Sequence, residues 1–278
     1  MKSFQDKVAA ITGASSGIGR ALALELAARG CHLALCSYSN TKGLAETAAL
    51  AAKHGVKVTR MKVNVADRKQ VHAWANRVVK SHGRVNLIVN NAGVAHAGTV
   101  EDTDYEDYER VMGINFWGVV YGTKAFLPYL KESGDGHVVN VSSVFGLFAQ
   151  PWMSAYNSSK FAVRGFTESL RQELDLMNNG VSATCVHPGG VKTNIASGGV
   201  SASFSNLIGQ DARTTQAIVE TLFRTSPEEA AKAILSGVQH NDRRVLIGLD
   251  ALAADSMQRI LPSFYQSLVT AALRLVKR

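Results

Sequence analysis

Seven short apolar runs, each separated from the next by residues with helical spacing, constrain this chain more than any other feature. The runs are VAAIT (8–12), HLALC (32–36), VKVTRMKV (56–63), NLIVN (86–90), HVVNVS (137–142), SATCVH (182–187) and RVLIG (244–248). Between them, helix-like stretches lie near 17–28, 42–53, 68–81, 104–130, 154–177 and 227–239. A short apolar run reads as a strand buried on both faces, and parallel pairing needs crossovers that lay helices over the sheet. The alternation therefore predicts an α/β fold: a doubly wound parallel sheet of about seven strands with helices on both faces. With 278 residues and no internal repeat or low-complexity linker, one domain is expected over 1–278, its core at about 5–248. Two segments depart from the rhythm. Residues 189–213 are rich in Gly, Ser and Ala and are expected to form a flexible loop over a substrate site. Residues 250–278 add a helical extension ending in Arg274, Lys277 and Arg278. It is expected to pack on the body or on another subunit, a reading set ahead of peripheral membrane contact.

Charge and cysteine usage narrow the function classes. The excess of 30 basic over 22 acidic residues gives +8, but the charges are scattered, with no basic-aromatic patch. Nucleic acid is therefore not an expected partner, whereas an anionic cofactor suits the balance. Cys31, Cys36 and Cys185 lie in apolar runs without metal-ligand spacing, so they read as core thiols of a reducing compartment, and no metal is expected. The first apolar run is too short for a signal segment, and no run approaches a bilayer span. A cytoplasmic protein is the expectation.

Directly after the first run comes TGASSGIG, which opens into the RALALELAARG helix. Gly13 permits a tight turn, Gly17 lets backbone approach a pyrophosphate, and Gly19 lets the helix sit close to the strand. Strand, glycines and helix in that order make a Rossmann-like dinucleotide cradle of Thr12, Gly13, Ser15, Ser16, Gly17, Ile18 and Gly19. An acidic residue closing the second strand would hold a ribose 2′-hydroxyl and repel a 2′-phosphate. Here the strand closes with Ser37, Tyr38, Ser39 and Asn40, with Lys42 nearby. NADP is preferred on this ground, with NAD kept open because no Arg supplies a phosphate fork.

Further segments follow in fixed order: NNAG (90–93), NFWG (115–118), VVNVSS (138–143), YNSSK (156–160) and HPGGVKT (187–193). With these in place the chain resembles the short-chain dehydrogenase/reductase family over roughly residues 5–248. The resemblance implies a catalytic set of Asn115, Ser143, Tyr156 and Lys160, its spacing selecting Ser143 over Ser142. It implies cofactor contacts from Asn91, Ala92 and Gly93, from Pro188, Gly189, Val191 and Thr193, and from Tyr156 and Lys160 themselves. Where the family commonly has Asp-Val after the third strand, this chain has Asn64-Val65, so an amide must replace a carboxylate at the adenine.

The implied chemistry is coherent. Reducing a ketone places charge on its oxygen, so an acid must deliver a proton there, and the reverse reaction needs the same group as base. Tyr156 would serve, its phenol brought below its usual range near 10 by the Lys160 ammonium and an oxidised nicotinamide. Ser143 would donate to the substrate oxygen, and Asn115 would hold a water joining Lys160 to solvent. Phe145, Gln150 and Trp152 from VFGLFAQPWM, with His96 opposite, are expected to line an apolar substrate pocket suited to a lipophilic carbonyl or secondary alcohol. The expected function is an NADP(H)-preferring oxidoreductase working as a homodimer or homotetramer through the helices bearing Asn115 and Tyr156. The alternative is a non-catalytic NADP-binding sensor or scaffold. Spacing alone does not single out Tyr156 and Lys160, because Tyr38 and Lys42 repeat it.

Overall fold

The structure is a computed structural model that describes residues 1–193 and 225–276. From residue 194 on, the loop expected at 189–213 lies outside the described residues, as do Lys277 and Arg278. Seven strands, β1 (Val8–Thr12), β2 (His32–Ser37), β3 (Val58–Lys62), β4 (Leu87–Asn90), β5 (Gly136–Val141), β6 (Val181–Pro188) and β7 (Arg244–Ile247), form one sheet in the order β3-β2-β1-β4-β5-β6-β7. Every pairing is parallel. The helices among the described residues are α1 (Gly17–Ala28), α2 (Thr41–Ala52), α3 (Arg68–His82), α4 (Tyr105–Met112), α5 (Gly118–Glu132), α6 (Ser154–Met177), α7 (Pro227–His240), α8 (Leu249–Ile260) and α9 (Tyr265–Val276). The doubly wound Rossmann-like architecture expected from the alternation is the one observed.

Alternation along each central strand divides the apolar interior in two. Ala9 and Ile11 of β1 join Leu22, Leu26, Ile234 and Leu235 beneath α1 and α7. Val8 and Ala10 face the opposite way, toward Trp74 and Phe126 of α3 and α5, whose rings meet edge-on at 5.0 Å. Both layers exclude water from the sheet, which is why the central strands lack polar-outward alternation. Strand order reverses between β1 and β4, so their carboxyl ends diverge into a crevice, the place where such sheets bind ligands.

One expected element is broken. The helical stretch predicted over 104–130 runs as α4, then a π turn at Gly113–Trp117, then α5. The π turn inserts an extra residue and re-aims the side chains inside it, and Asn115 is one of them.

Candidate active site

The cradle begins where β1 ends. Gly13 has φ +66, and a Cβ on it would lie 2.9 Å from Ala92 Cα; one on Gly19 would lie 2.4 Å from the Gly13 carbonyl oxygen. Thr12 Oγ1 accepts from the amides of Asn91 (2.9 Å) and Ala92 (3.0 Å), and Asn91 Nδ2 donates to the Thr12 carbonyl at 3.0 Å. These bonds lock the ends of β1 and β4 together and leave α1 pointing its N-terminus into the crevice. Ser16, the α1 N-cap, makes no side-chain cap bond. The first-turn amides of Gly17, Ile18 and Gly19 are therefore presented without a capping hydroxyl, in the field of the helix N-terminus. Thr193 closes the cradle from the β6 side, since a Cβ on Gly17 would lie 3.0 Å from Thr193 Cγ2. A pyrophosphate fits this donor set.

At the end of β2, Ser37 Oγ donates to Ser15 Oγ at 3.0 Å, and Asn40 caps α2 by accepting from Gly43 N at 2.8 Å. Since α2 starts at Thr41, Tyr38 precedes the helix, and Tyr38 and Lys42 do not share a helical face. The cation that meets Tyr38 is Lys62, opposite Ser37 in the β2–β3 register, with Nζ 5.1 Å from the ring centroid. Lys62 was not among the residues the sequence singled out; parallel register is the signal that would have found it. Beyond β3, Asn64 Oδ1 accepts from Ala66 N at 3.1 Å, while Val65 is buried against Gly118.

The predicted catalytic residues converge between β4, β5 and α6. Ser142 and Ser143, adjacent at the end of β5, point to opposite sides. Ser142 Oγ donates to the Lys160 carbonyl at 2.8 Å and braces α6. Ser143 Oγ accepts from Phe145 N at 3.1 Å and meets the Tyr156 hydroxyl. Lys160, 3% exposed, donates from Nζ to the Val141 carbonyl at 3.0 Å and lies 5.6 Å from the Tyr156 ring centroid. Burial pushes its pKa down to about 8. Burial pushes the Tyr156 phenol up, with the Ser143 hydrogen bond opposing. The expected lowering of Tyr156 by Lys160 is thus absent from the protein alone. The ammonium turns toward Val141, and loss of water outweighs everything else acting on the phenol.

Asn115 commits its side chain to neighbours. Oδ1 accepts from Val94 N at 2.8 Å, and Nδ2 donates to the Val94 carbonyl at 2.9 Å and to Ser159 Oγ at 3.0 Å. It ties the strand-end segment 90–94 to α6. Gly93 sits between, and a Cβ there would lie 3.3 Å from Asn115 Oδ1 and 3.5 Å from Lys160 Nζ. Asn90 belongs to a buried amide network, donating to Asn140 Oδ1 at 2.9 Å.

The predicted pocket residues separate. Phe145 meets Tyr156 edge-on at 6.3 Å and Phe148 at 5.4 Å. The Gln150 carbonyl accepts from Asn157 Nδ2 at 2.8 Å. Trp152 adopts φ +65, and its carbonyl accepts from Gly98 N at 2.7 Å, so 94–98 and 152–153 do face each other. His96 directs Nε2 at Thr103 Oγ1 (3.4 Å) and Nδ1 at Asp107 (3.6 Å), so both ring nitrogens are turned to the segment that leads into α4. Leu147 is core. Tyr265 of α9 was not anticipated: its ring meets Phe148 edge-on at 6.0 Å, and its hydroxyl accepts from Ala149 N at 3.2 Å.

A parallel doubly wound sheet with an uncapped glycine turn at its switch point is the architecture of a nucleotide-binding protein, and no cluster of His, Cys, Asp or Glu among the described residues could hold a metal. The chain belongs to the short chain dehydrogenase family, whose sequence profile matches residues 7–201. It is 50% identical over 274 residues to the oxidoreductase SadH of Mycobacterium tuberculosis, covering 98% of this chain and 97% of that one. It is 32% identical to dehydrogenase/reductase SDR family member 7B of Xenopus tropicalis, over 96% and 85% of the two chains. Among solved structures, a short chain dehydrogenase/reductase from Burkholderia phymatum in complex with NAD superposes with a TM-score of 0.84 at 29% identity, covering 96% and 97%. An alcohol dehydrogenase from Thermococcus sibiricus complexed with 5-hydroxy-NADP gives 0.71 at 27%, covering 87% and 95%. The protein is a dehydrogenase/reductase that uses a nicotinamide cofactor.

Proposed function

We propose that the chain is an NADP(H)-preferring oxidoreductase that interconverts a lipophilic secondary alcohol and its ketone, with Tyr156 as general acid/base. The observation that carries the reading is the buried meeting of Ser143, Tyr156 and Lys160 beside the Phe145 ring. The nicotinamide, when bound, supplies or accepts the hydride. Tyr156 holds the proton that goes to the substrate oxygen, and its raised pKa keeps the phenol protonated and ready to act as an acid. Ser143 already accepts from Phe145 N, so its own hydroxyl proton is available to the same oxygen. Lys160 holds charge close to the ring, and Asn115 positions the 90–94 segment against α6. Asn91, Ala92 and Gly93 take the ribose side of the cofactor. Pro188, Gly189, Val191 and Thr193 take the nicotinamide side.

Preference for NADP is supported by a β2 end without carboxylate and by Lys62 over Tyr38. Rings at 145, 148 and 152 support an apolar substrate. Free, buried Cys31, Cys36 and Cys185 support a cytoplasmic setting, and no helix among the described residues is long and apolar enough to cross a membrane. Trp117 (47% exposed) and Phe161 (39%) on the helices around Asn115 and Tyr156 support assembly through that face, which light scattering tests. A panel of carbonyls and alcohols, followed by the absorbance of reduced nicotinamide with NADP and NAD in parallel, tests the function. Turnover of bulky ketones or alcohols, faster with NADP, is expected. Tight cofactor binding with no turnover across the panel would instead establish the sensor or scaffold reading.

A further inference from the structure

Every backbone amide from Gly189 to Lys192, where the chain leaves β6 for the cofactor cleft, has a partner, and one partner comes from far along the chain. Gly189 N donates to the Ile247 carbonyl (2.9 Å), Val191 N to the Gly189 carbonyl (3.0 Å) and Lys192 N to the Thr225 carbonyl (3.0 Å). Gly190 N donates to Asp250 Oδ2 at 2.5 Å. Asp250 lies in the first turn of α8, well beyond the family-matched residues 7–201.

The local sequence is shaped around this carboxylate. A Cβ on Gly189 would lie 2.2 Å from Asp250 Oδ2, and one on Gly248 would lie 2.3 Å from Oδ1. Gly248 also has φ +93, a conformation side-chain-bearing residues rarely adopt. Two glycines from two neighbouring strand ends thus leave room for one carboxylate to fold back onto a third residue's amide. A charge-assisted bond to a backbone N–H is among the stronger hydrogen bonds a loop can have.

We propose that Asp250 is a positioning residue for the cofactor: it holds the 189–193 turn so that Val191 and Thr193 meet the nicotinamide half, and so couples the C-terminal extension to cofactor affinity. This rests on the reading of that turn as the nicotinamide side of the site. Thr193 lies against Gly17 at the edge of the cradle, so that contact holds the cradle end of the turn while Asp250 holds its β6 end, and losing Asp250 frees the stretch facing the nicotinamide half rather than the cradle.

The test compares binding of the whole dinucleotide with binding of 2′-phospho-ADP-ribose, which lacks the nicotinamide, by quenching of protein fluorescence. Asp250→Ala is expected to weaken NADP about tenfold, leave the fragment within about twofold, and move the Gly190 amide proton upfield in the NMR spectrum of the cofactor-free protein. Asp250→Asn, which keeps an acceptor oxygen, is expected to restore most of the affinity. Asp250→Ser stands in if the alanine variant fails to fold. Equal losses for dinucleotide and fragment, or unchanged affinity with the Gly190 amide unmoved, would overturn the assignment. A wild-type chain that binds the fragment but gains nothing from the nicotinamide overturns the functional reading together with this one, while the Gly190 shift reports the Asp250 contact by itself.

Discussion

Tyr156 and Lys160 share their spacing with Tyr38 and Lys42, and the structure makes them physical opposites. The first pair lies on α6, where four residues make one helical turn, so ring and ammonium are side by side and both are buried. The second pair straddles the start of α2. Tyr38 is 53% exposed, and the lysine over its ring is Lys62 from the neighbouring strand. Spacing has chemical meaning only inside a regular element, and burial decides what the neighbouring charge can do. In the first pair, desolvation acts on both groups and drives their pKa values in opposite directions. In the second, solvent screens the cation, leaving it suited to recognising an anionic ligand.

The largest effect expected from breaking the buried pair is on chemistry. Tyr156→Phe keeps the ring and its packing on Phe145 but removes the proton. Turnover on a confirmed substrate should fall about 10³-fold, with cofactor affinity changed by less than about threefold. Retention of full turnover would remove Tyr156 from its role.

Lys160→Met sharpens the same side of the comparison through stability. The folded protein lowers this lysine from its ordinary 10.5 to about 8, so folding is penalised wherever the amine is charged in both states, that is, below about pH 8. Between pH 8 and 10.5 the unfolded chain binds more protons than the folded one, and the penalty fades as pH rises. Methionine removes the penalty but leaves the Val141 carbonyl without its donor. The net gain at pH 7 is about 2 kcal/mol, a Tm higher by a few degrees, shrinking toward pH 10.5, while kcat falls about 10²-fold. A Tm difference that does not vary with pH would show that Lys160 is not buried as a charge.

These two residues also mark how far the sequence could be read. The seven strands were legible because strands buried on both faces are continuous apolar runs, and the glycine turn because backbone approach admits few residue types. Ser143 could be separated from Ser142 only through the spacing that the family resemblance implies; alternation says that adjacent residues differ, not which of them faces the substrate. What was not legible depends on contacts between distant segments. The π turn at Asn115 has no periodicity signature within a single helical pattern. Tyr265 and Asp250 lie in a tail without motifs, and only the folded chain brings them to Phe148 and Gly190. In the cofactor-free protein the Tyr156 shift is upward for a related reason: the attraction of a nearby cation can be counted from spacing, whereas the larger cost of losing water depends on the whole surrounding structure.

The exposed pair supports the smaller predictions. Lys62→Met should weaken NADP about tenfold and NAD by less than about twofold, read by fluorescence titration, because a lone lysine near the surface contributes a screened but selective attraction to a 2′-phosphate. The loss should shrink in high salt. Lys42→Met should weaken NADP about threefold at most, since Lys42 is exposed on α2 and is not the cation held over the Tyr38 ring. If the order of the two lysines is reversed, the side-chain arrangement at the end of β2 changes when the cofactor binds, and helix start rather than strand register would decide which cation reads the phosphate. If neither substitution alters the ratio of NADP to NAD affinity, the missing carboxylate after β2 relaxes cofactor choice without directing it.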